Sequence, residues 1–437
     1  MAHFTGHQAR RRGGTPPAVA LTGSVSTTAD RRSGGPSAGR PTGRPTGPEV
    51  GTARRWAMLG ASTLAQAAAA IMVHGPAFLI PVLHEREGLS LAEAGLVAAA
   101  PTVGVMLTLV GWGMVSDRRG ERLALLAGLV ATTVAGAAAA LVGGTLLLAA
   151  TLFLAGASAA STNSASGRVV VGWFPPRQRG LAMGIRQMAQ PVGVGIAAVS
   201  IAVVADSHGA HAALWVPTIA CGAAGVVVAL VVLDPPRPEA TGGTAPSPYR
   251  RDGFLVRIHA VSVLLVVPQF LVWTFALVWL VQARGWSPAA AGSLVAGAQV
   301  GGALGRILAG HLSDRVGSRL RPLRWVAVAA AVVMALLGLA AALGWSVAVV
   351  LMVVATVLTV ADNGLAFTAV AERAGPFWSG RALGIQNTAQ FLTASAVPPL
   401  AGLAITHVGF AAVFAVGALF PVLAAPLVPV ADEREPS

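Results

Sequence analysis

Twelve apolar runs, each near the ~20 residues that a helix needs to cross a hydrocarbon core, follow one another from Trp56 almost to the C-terminus. They occupy approximately 56–83, 91–115, 122–142, 146–171, 180–204, 212–233, 257–282, 288–312, 323–343, 347–371, 381–405 and 410–430. No water inside a bilayer can satisfy a backbone N–H or C=O, so runs of that length must close their own hydrogen bonds as α-helices. The chain is therefore constrained to an all-α integral membrane fold, and each polar residue inside a run becomes informative. Composition agrees: 11% of residues are charged and mean hydropathy is +0.70, against about 25% charged in soluble domains.

The formal charge is +13, and every basic residue is arginine. These arginines lie in a tail and between apolar runs, with no basic helix face interleaved with aromatics, so they fit topology control and not nucleic-acid binding. The exclusive use of arginine, with abundant Ala, Gly and Val, points to a GC-rich bacterial coding sequence. Cys221, the single cysteine, sits in an apolar run and provides neither a disulfide framework nor a thiolate metal cluster. The histidines form no zinc spacing, and a chain without lysine has no phosphate-binding P-loop. The residues thus imply no metal, no cofactor and no enzyme chemistry.

Residues 1–52, rich in Gly, Pro, Ser, Thr and Arg, read as a disordered tail. The stretch 234–253 is the one long polar loop inside the bundle and divides the chain into 53–233 and 254–430, with 431–437 as a short tail. Arginines sort the loops into two faces. One face holds Arg118, Arg119, Arg122, Arg177, Arg179, Arg237, Arg250, Arg251, Arg315, Arg319, Arg321, Arg324, Arg373 and Arg381; the other holds Arg86 and Arg284. Positively charged loops stay inside, so both termini are expected to be cytoplasmic in a multi-pass protein of the bacterial plasma membrane.

The loop Gly113-Met-Val-Ser-Asp117-Arg118-Arg119-Gly120-Glu121-Arg122 recurs 197 positions later as Gly310-His-Leu-Ser-Asp314-Arg315-Val316-Gly317-Ser318-Arg319. At an offset of 200, Ala182-Met-Gly184-Ile185-Arg186-Gln187-Met-Ala189-Gln190 matches Ala382-Leu-Gly384-Ile385-Gln386-Asn387-Thr-Ala389-Gln390. Matched helices have the same parity, so the repeat is parallel, and its axis runs along the membrane normal. The expected fold is twelve transmembrane helices in two pseudo-symmetric six-helix bundles.

With these motifs the chain resembles the major facilitator superfamily over about 53–430. The duplicated G-x-x-x-D-R-x-G-x-R loop is that family's best-known signature, and Trp173-Phe174-Pro175-Pro176-Arg177-Gln178-Arg179-Gly180 is a common form of its loop between the fourth and fifth helices. The chain departs from the signature at Glu121 and Ser318, where the family usually has a basic residue. The resemblance implies a monomeric secondary transporter working by alternating access. It also implies a gate and conformational latch, carried here onto Asp117, Arg118, Asp314 and Arg315, with Arg122 and Arg319 closing the two motif copies. Independently of the family, a carboxylate ending a helix can accept hydrogen bonds from an adjoining helix N-terminus and pair with arginine. Glycines 113, 120, 310 and 317 allow close helix approach or a tight turn.

The cargo must be sought deeper. Asp362 lies about eleven residues before Arg373, roughly 16 Å from the arginine-rich end at 1.5 Å per residue. An ionisable group at mid-membrane is costly and by default marks a substrate, ion or proton path. His74, Asn163, Gln190, Gln269, Gln299, Asn363 and Gln390 fall at similar depth, and the repeat pairs Asn163 with Asn363 and Gln190 with Gln390. Singly such residues are interhelical glue; as a set they read as the polar lining of a path between the halves. Arg168, Arg186 and Arg306 also interrupt helices. Arg168 and Arg186 can snorkel to the surface, whereas Arg186 or Arg306 turned into a cavity would favour an anionic solute.

The expected function is secondary active transport of a small solute, an organic anion among the candidates, with a proton as coupling ion; the lipid bilayer is the only other partner. A drug or metabolite exporter of the same fold is the alternative, weakened because Gln190 replaces the glycine before Pro191 in the exporter motif of the fifth helix. A non-transporting sensor would be expected to carry a signalling domain, and neither tail reads as one.

Overall fold

The computed structural model describes residues 50–235 and 246–433. The expected tail at 1–52 lies almost wholly outside the described residues, as do 236–245 of the central loop and 434–437 at the C-terminus. Among the described residues, ten helices are long and apolar enough to cross a membrane: α1 (Thr52–Glu85), α2 (Glu93–Arg119), α3 (Glu121–Leu141), α4 (Thr145–Trp173), α5 (Pro176–His208), α6 (Ala210–Val231), α7 (Phe254–Gln282), α9 (Leu320–Ala342), α10 (Val347–Ala374), and a final 54-residue stretch, Ser379–Asp432. That last stretch contains two spans, α11 (379–408) and α12 (410–427), because Gly409 at φ 79°, ψ 168° breaks the helix between them. The twelfth span is α8 (Pro288–Val316), 29 residues long, whose Gln299, Arg306 and glycines dilute its apolar character.

The twelve helices pack as two bundles. Within the first, α2 and α3 lie against α4, and α1 against α5 and α6; within the second, α8 and α9 lie against α10, and α7 against α11. Alanine and glycine at the crossings bring backbones close, the usual basis of helix association in lipid, where no hydrophobic drive exists between helices. Bulky side chains fill the remaining space. Leu83, Val97, Leu152 and Ile201 pack together in the first bundle, and Trp279, Met352 and Phe414 in the second. A third cluster crosses from one bundle to the other toward the arginine-rich face, joining Leu59, Phe174 and Met183 to Leu320, Phe367 and Leu383.

Two local irregularities shape the interior. The α-helix of α1 gives way after His74 to a 3-10 segment, Gly75–Leu79, with Pro76 in its first turn. Helix α5 is interrupted at Met188, and Pro191 follows in its second segment. Proline has no N–H to return to the residue four positions earlier, so the carbonyl of Gln187 is released from the helix ladder. Before Met188, α5 packs on α8; after it, α5 packs chiefly on α1.

Candidate functional site: paired joints and an amide-lined pocket

The bundles meet most extensively along two helix pairs, α2 with α11 and α8 with α5, and both joints have the same construction. Asp117, 5% exposed at the end of α2, accepts from the backbone N–H groups of Gly380 (2.8 Å) and Arg381 (3.0 Å) in the first turn of α11. Asp314 at the end of α8 accepts from those of Gly180 (2.9 Å) and Leu181 (2.8 Å) in the opening turns of α5. The Asp117 carboxylate therefore meets the partial positive charge of first-turn N–H groups from the other bundle, and Asp314 takes two N–H groups one turn further into its partner helix. Above these bonds, Gly113 faces Gly380 and Gly310 faces Gly180, so closely that a Cβ on any of the four would strike the opposing backbone or carboxylate. One step higher, Gly384 meets the carbonyl of Leu109, and Gly184 that of Arg306.

The arginines that complete these joints are not the ones adjacent to the aspartates. Arg118 and Arg315 are exposed and make no ion pair among the described residues. Asp117 instead pairs with Arg168 of α4 and, at 2.9 Å, with Arg381 of α11. Arg168 does not snorkel to the surface: it is 4% exposed and also pairs with Glu121 at 2.7 Å. The acid at position 121 thus supplies this arginine with a second counter-charge. In the second bundle Arg319 pairs with Asp314 at 2.6 Å and with Glu372 at 3.3 Å. Burial works against the Arg319 charge, but the carboxylates of Glu372 and Asp314 more than offset it and raise its pKa. Glu372 also reaches Arg179 of α5, at 3.3 Å, which adds an ion pair between bundles.

The motif glycines 120 and 317 take positive φ, 113° and 67°, and turn the chain into α3 and α9. The backbone N–H of Arg122 is held by Asp234, just beyond α6, at 2.8 Å. Its repeat counterpart Arg319 is held in the same way by Glu433, beyond α12, which also accepts from Leu320 N–H at 3.1 Å. Nearby, the Tyr249 hydroxyl, whose pKa burial pushes up to about 12, lies 2.9 Å from His259 Nε2, and His259 meets Gln386 through its other ring nitrogen.

Deeper, between the bundles, lies a pocket lined by Gln66, Asn163, Gln187 and Gln190 from the first bundle and by Gln269, Arg306, Asn363, Asn387 and Gln390 from the second. Phe270, Trp273, Phe367 and Phe391 supply its apolar wall. The amides are arranged as two related pairs: Gln66 Nε2 donates to Asn163 Oδ1 (3.3 Å), and Asn363 Nδ2 donates to Gln269 Oε1 (3.0 Å). Gln390 donates to Asn363 at 3.1 Å, while Gln190 lies 3.4 Å from His74 Nε2. His74 closes a smaller recess that opens beside Gln66, Asn163 and Gln190.

Arg306 spans the joint between bundles. Its Nη1 donates to the Gln187 carbonyl that Pro191 released (2.9 Å), and its Nε donates to the Val360 carbonyl (3.3 Å). Asp362 and Arg186 lie behind the lining. Asp362 is 1% exposed, and among the described residues no other residue donates a hydrogen bond to either carboxylate oxygen. Arg186, 0% exposed, donates to Ser166 Oγ, Gln187 Oε1 and the Asn163 carbonyl, and lies over the Phe367 ring. Of the sequence candidates, Gln299 is half-buried on α8 and takes no part in the lining. Gln66, Gln187 and Asn387 were not among the candidates. The repeat that matched Gln190 to Gln390 also matches Gln187 to Asn387, a signal that was available; Gln66 matches Gln269 at a different offset and had no motif around it.

Residues 61–398 and 263–437 match the sequence family described as Major Facilitator Superfamily. An uncharacterised MFS-type transporter of Mycobacterium tuberculosis strain H37Rv is 47% identical over 384 residues, which cover 87% of this chain and 86% of that protein. Among solved structures, the fucose:proton symporter of E. coli superposes with a TM-score of 0.71 at 14% identity, covering 86% of this chain and 98% of the other. A proton:xylose symporter gives 0.71 at 16% identity, covering 86% and 95%. The human organic anion transporter MFSD10 gives 0.65 at 17%, covering 86% and 99%.

Proposed function

As the chain belongs to the Major Facilitator Superfamily, we propose that it is a proton-coupled secondary transporter that carries a small solute in the pocket between its bundles by alternating access. The observation that carries this reading is the juxtaposition of an amide-lined pocket with two pseudo-symmetric joints between the bundles, on the same helices α5, α8 and α11 that line it. A carrier must close one face while the other is open, and rigid bundles rocking about a central site accomplish this. The bundles are 53–233 and 254–430, linked by 234–253. The arginine-rich face is cytoplasmic, so the arrangement described is the state closed to the cytoplasm of a bacterial plasma membrane.

Asp362 is the coupling group. It is an ionisable side chain buried at mid-membrane, with no hydrogen bond from another residue to either oxygen and within the electrostatic reach of Arg306. The gate acts through Asp117 and Asp314: opening toward the cytoplasm must break their bonds to α11 and α5. Gly113, Gly120, Gly310 and Gly317 provide the close approach and turns of that gate.

The test is reconstitution of the full chain in proteoliposomes loaded with a pH dye, after a screen for solutes that raise thermal stability, since a true ligand binds the folded state preferentially. A stabilising solute should bring protons across with it under an imposed proton gradient, and Asp362→Asn should abolish that coupled flux. Solute movement with no proton movement would sink the coupling assignment; stabilisation without any movement would sink transport itself.

A further inference from the structure

We propose that the solute is an organic monoanion whose carboxylate is taken by Arg306, and that this carboxylate and ionised Asp362 alternate as the counter-charge of that arginine. One proton then accompanies one anion, with no net charge moved. The inference rests on the transport reading above and assigns the chemistry of its site.

Three observations converge. Arg306 belongs to the pocket lining, and its hydrogen bonds are to two carbonyls, from Nε and Nη1; Nη2 has no protein acceptor among the described residues. A guanidinium edge left free in a pocket wall is a ready partner for a carboxylate. Arg186, fully buried one layer behind, has only neutral partners, so its charge is uncompensated by any acid it touches. Among the described residues the acid in this layer is Asp362, which interacts electrostatically with Arg306 but makes no direct ion pair in this conformation.

Arg306 therefore has one carboxyl, that of Asp362, within electrostatic reach, and Arg186 has none that it touches. With Asp362 ionised and the pocket empty, the layer carries one net positive charge; with Asp362 protonated and a monoanion bound, it carries the same. A proton alone would leave Arg306 with no counter-charge, and an anion alone would set a second carboxylate against ionised Asp362 at one guanidinium; both are costly in a low-dielectric interior. Both ligands or neither can cross readily, which is coupling. Other charged groups on helices packed against α10 are engaged elsewhere or exposed: Arg168 and Arg381 with Asp117, Arg257 with Asp432, His259 with Tyr249 and Gln386, while Arg321 and Arg324 are exposed. On α10 itself, Glu372 pairs with Arg179 and Arg319, and Arg373 pairs with Asp252. The pocket wall adds Phe270, Trp273 and Phe391 for an apolar or flat body, and amides for a hydrogen-bonding group on it.

The experiment compares N-benzoylglycine with N-benzoylglycinamide, and 4-hydroxybenzoate with 4-hydroxybenzamide, on the purified full chain. At least one acid should stabilise the protein at concentrations about tenfold or more below its amide, the ratio expected when a charged donor loses its acceptor. Acid binding should tighten as pH falls, because protonating Asp362 frees Arg306. Asp362→Asn should keep the binding and flatten that pH profile, and Arg306→Gln should remove the preference for acid. Should Arg306→Gln prove too unstable to purify, the acid-to-amide ratio and the Asp362→Asn profile decide the matter. In proteoliposomes, uptake of the stabilising acid on a proton gradient should not respond to a potassium diffusion potential of either sign. Equal stabilisation by acid and amide, no stabilisation by either acid, or potential-dependent uptake overturns the proposal. Proton-driven accumulation of an amide would leave the transport reading standing and remove the anion assignment. Acid binding that depends on Arg306, but with no proton-driven uptake, would support the site and overturn the transport reading.

Discussion

At Arg168 one guanidinium serves two acids, and all three side chains are at most 4% exposed. Removing one member of a buried ion cluster leaves the others unpaired, a loss of about 3–5 kcal/mol. Arg168→Ala should therefore lower the thermal midpoint of the detergent-purified protein by many degrees, or prevent its recovery. Arg118→Ala, on an exposed side chain of the signature itself, should stay within about 0.5 kcal/mol of the parent. Glu121→Arg restores the residue type that the family resemblance leads one to expect, yet it would set a second guanidinium against Arg168. It should be as damaging as Arg168→Ala in the same melting measurement; a neutral result would mean that Glu121 is not the counter-charge of Arg168. These residues also show where reading the sequence stops. The duplicated motif named Asp117 and Asp314, because spacing and helix ends are written along the chain. Their arginine partners come from α4, from α11 and from the start of α9, and which of these meets an aspartate is set by helix rotation in three dimensions.

Two elements, α5 and α11, differ in how far the sequence announced them. The repeat at an offset of 200 aligned them with each other, and their glycines 180, 184, 380 and 384 prove to be the points where the bundles touch. The interruption of α5 was less legible: Pro191 was visible, but not that Arg306 would take the carbonyl it releases. Two tests separate these roles. Gly113→Ala and Gly310→Ala each place a methyl group against the opposite backbone, an overpacking that costs about 1–3 kcal/mol and loads it onto the closed state. A cysteine at Thr388, whose hydroxyl lies 3.5 Å from the Met106 carbonyl in the α2–α11 joint, reports on this. The single native cysteine, Cys221, is buried and should contribute little background. Alkylation of Cys in Thr388→Cys should accelerate several-fold in both glycine variants but not in Gly111→Ala, where a Cβ meets nothing within 4 Å. Pro191→Ala should act differently. It restores an N–H that competes with Arg306 for the Gln187 carbonyl, so alkylation at position 388 should be unchanged while solute affinity alters; an altered labelling rate would show that the proline serves the gate.

For the whole molecule the question is whether the two joints open as one event. Asp117 and Asp314 occupy equivalent places in the two halves, yet they lie on different helix pairs, and the partners described for one are not those of the other. If each bundle is rigid, neither joint can part while the other holds, and weakening either one shifts a single equilibrium. A charge-assisted hydrogen bond contributes about 1.5–3 kcal/mol, so Asp314→Asn should raise the population open at the arginine-rich face by about tenfold or more. The decisive reading is taken at the other joint. Asp314→Asn should accelerate alkylation of Thr388→Cys, about as much as Asp117→Asn does, although the hydroxyl of Thr388 bonds α2, in the other joint. The double variant should multiply the two effects, because free energies at separate sites add when they bias the same transition. If the joints flex independently, Asp314→Asn will leave the labelling at position 388 unchanged and only Asp117→Asn will raise it. That outcome would reject rocking of rigid bundles, and with it the coupling scheme, since a pocket whose two seals part separately would leak protons through half-open states.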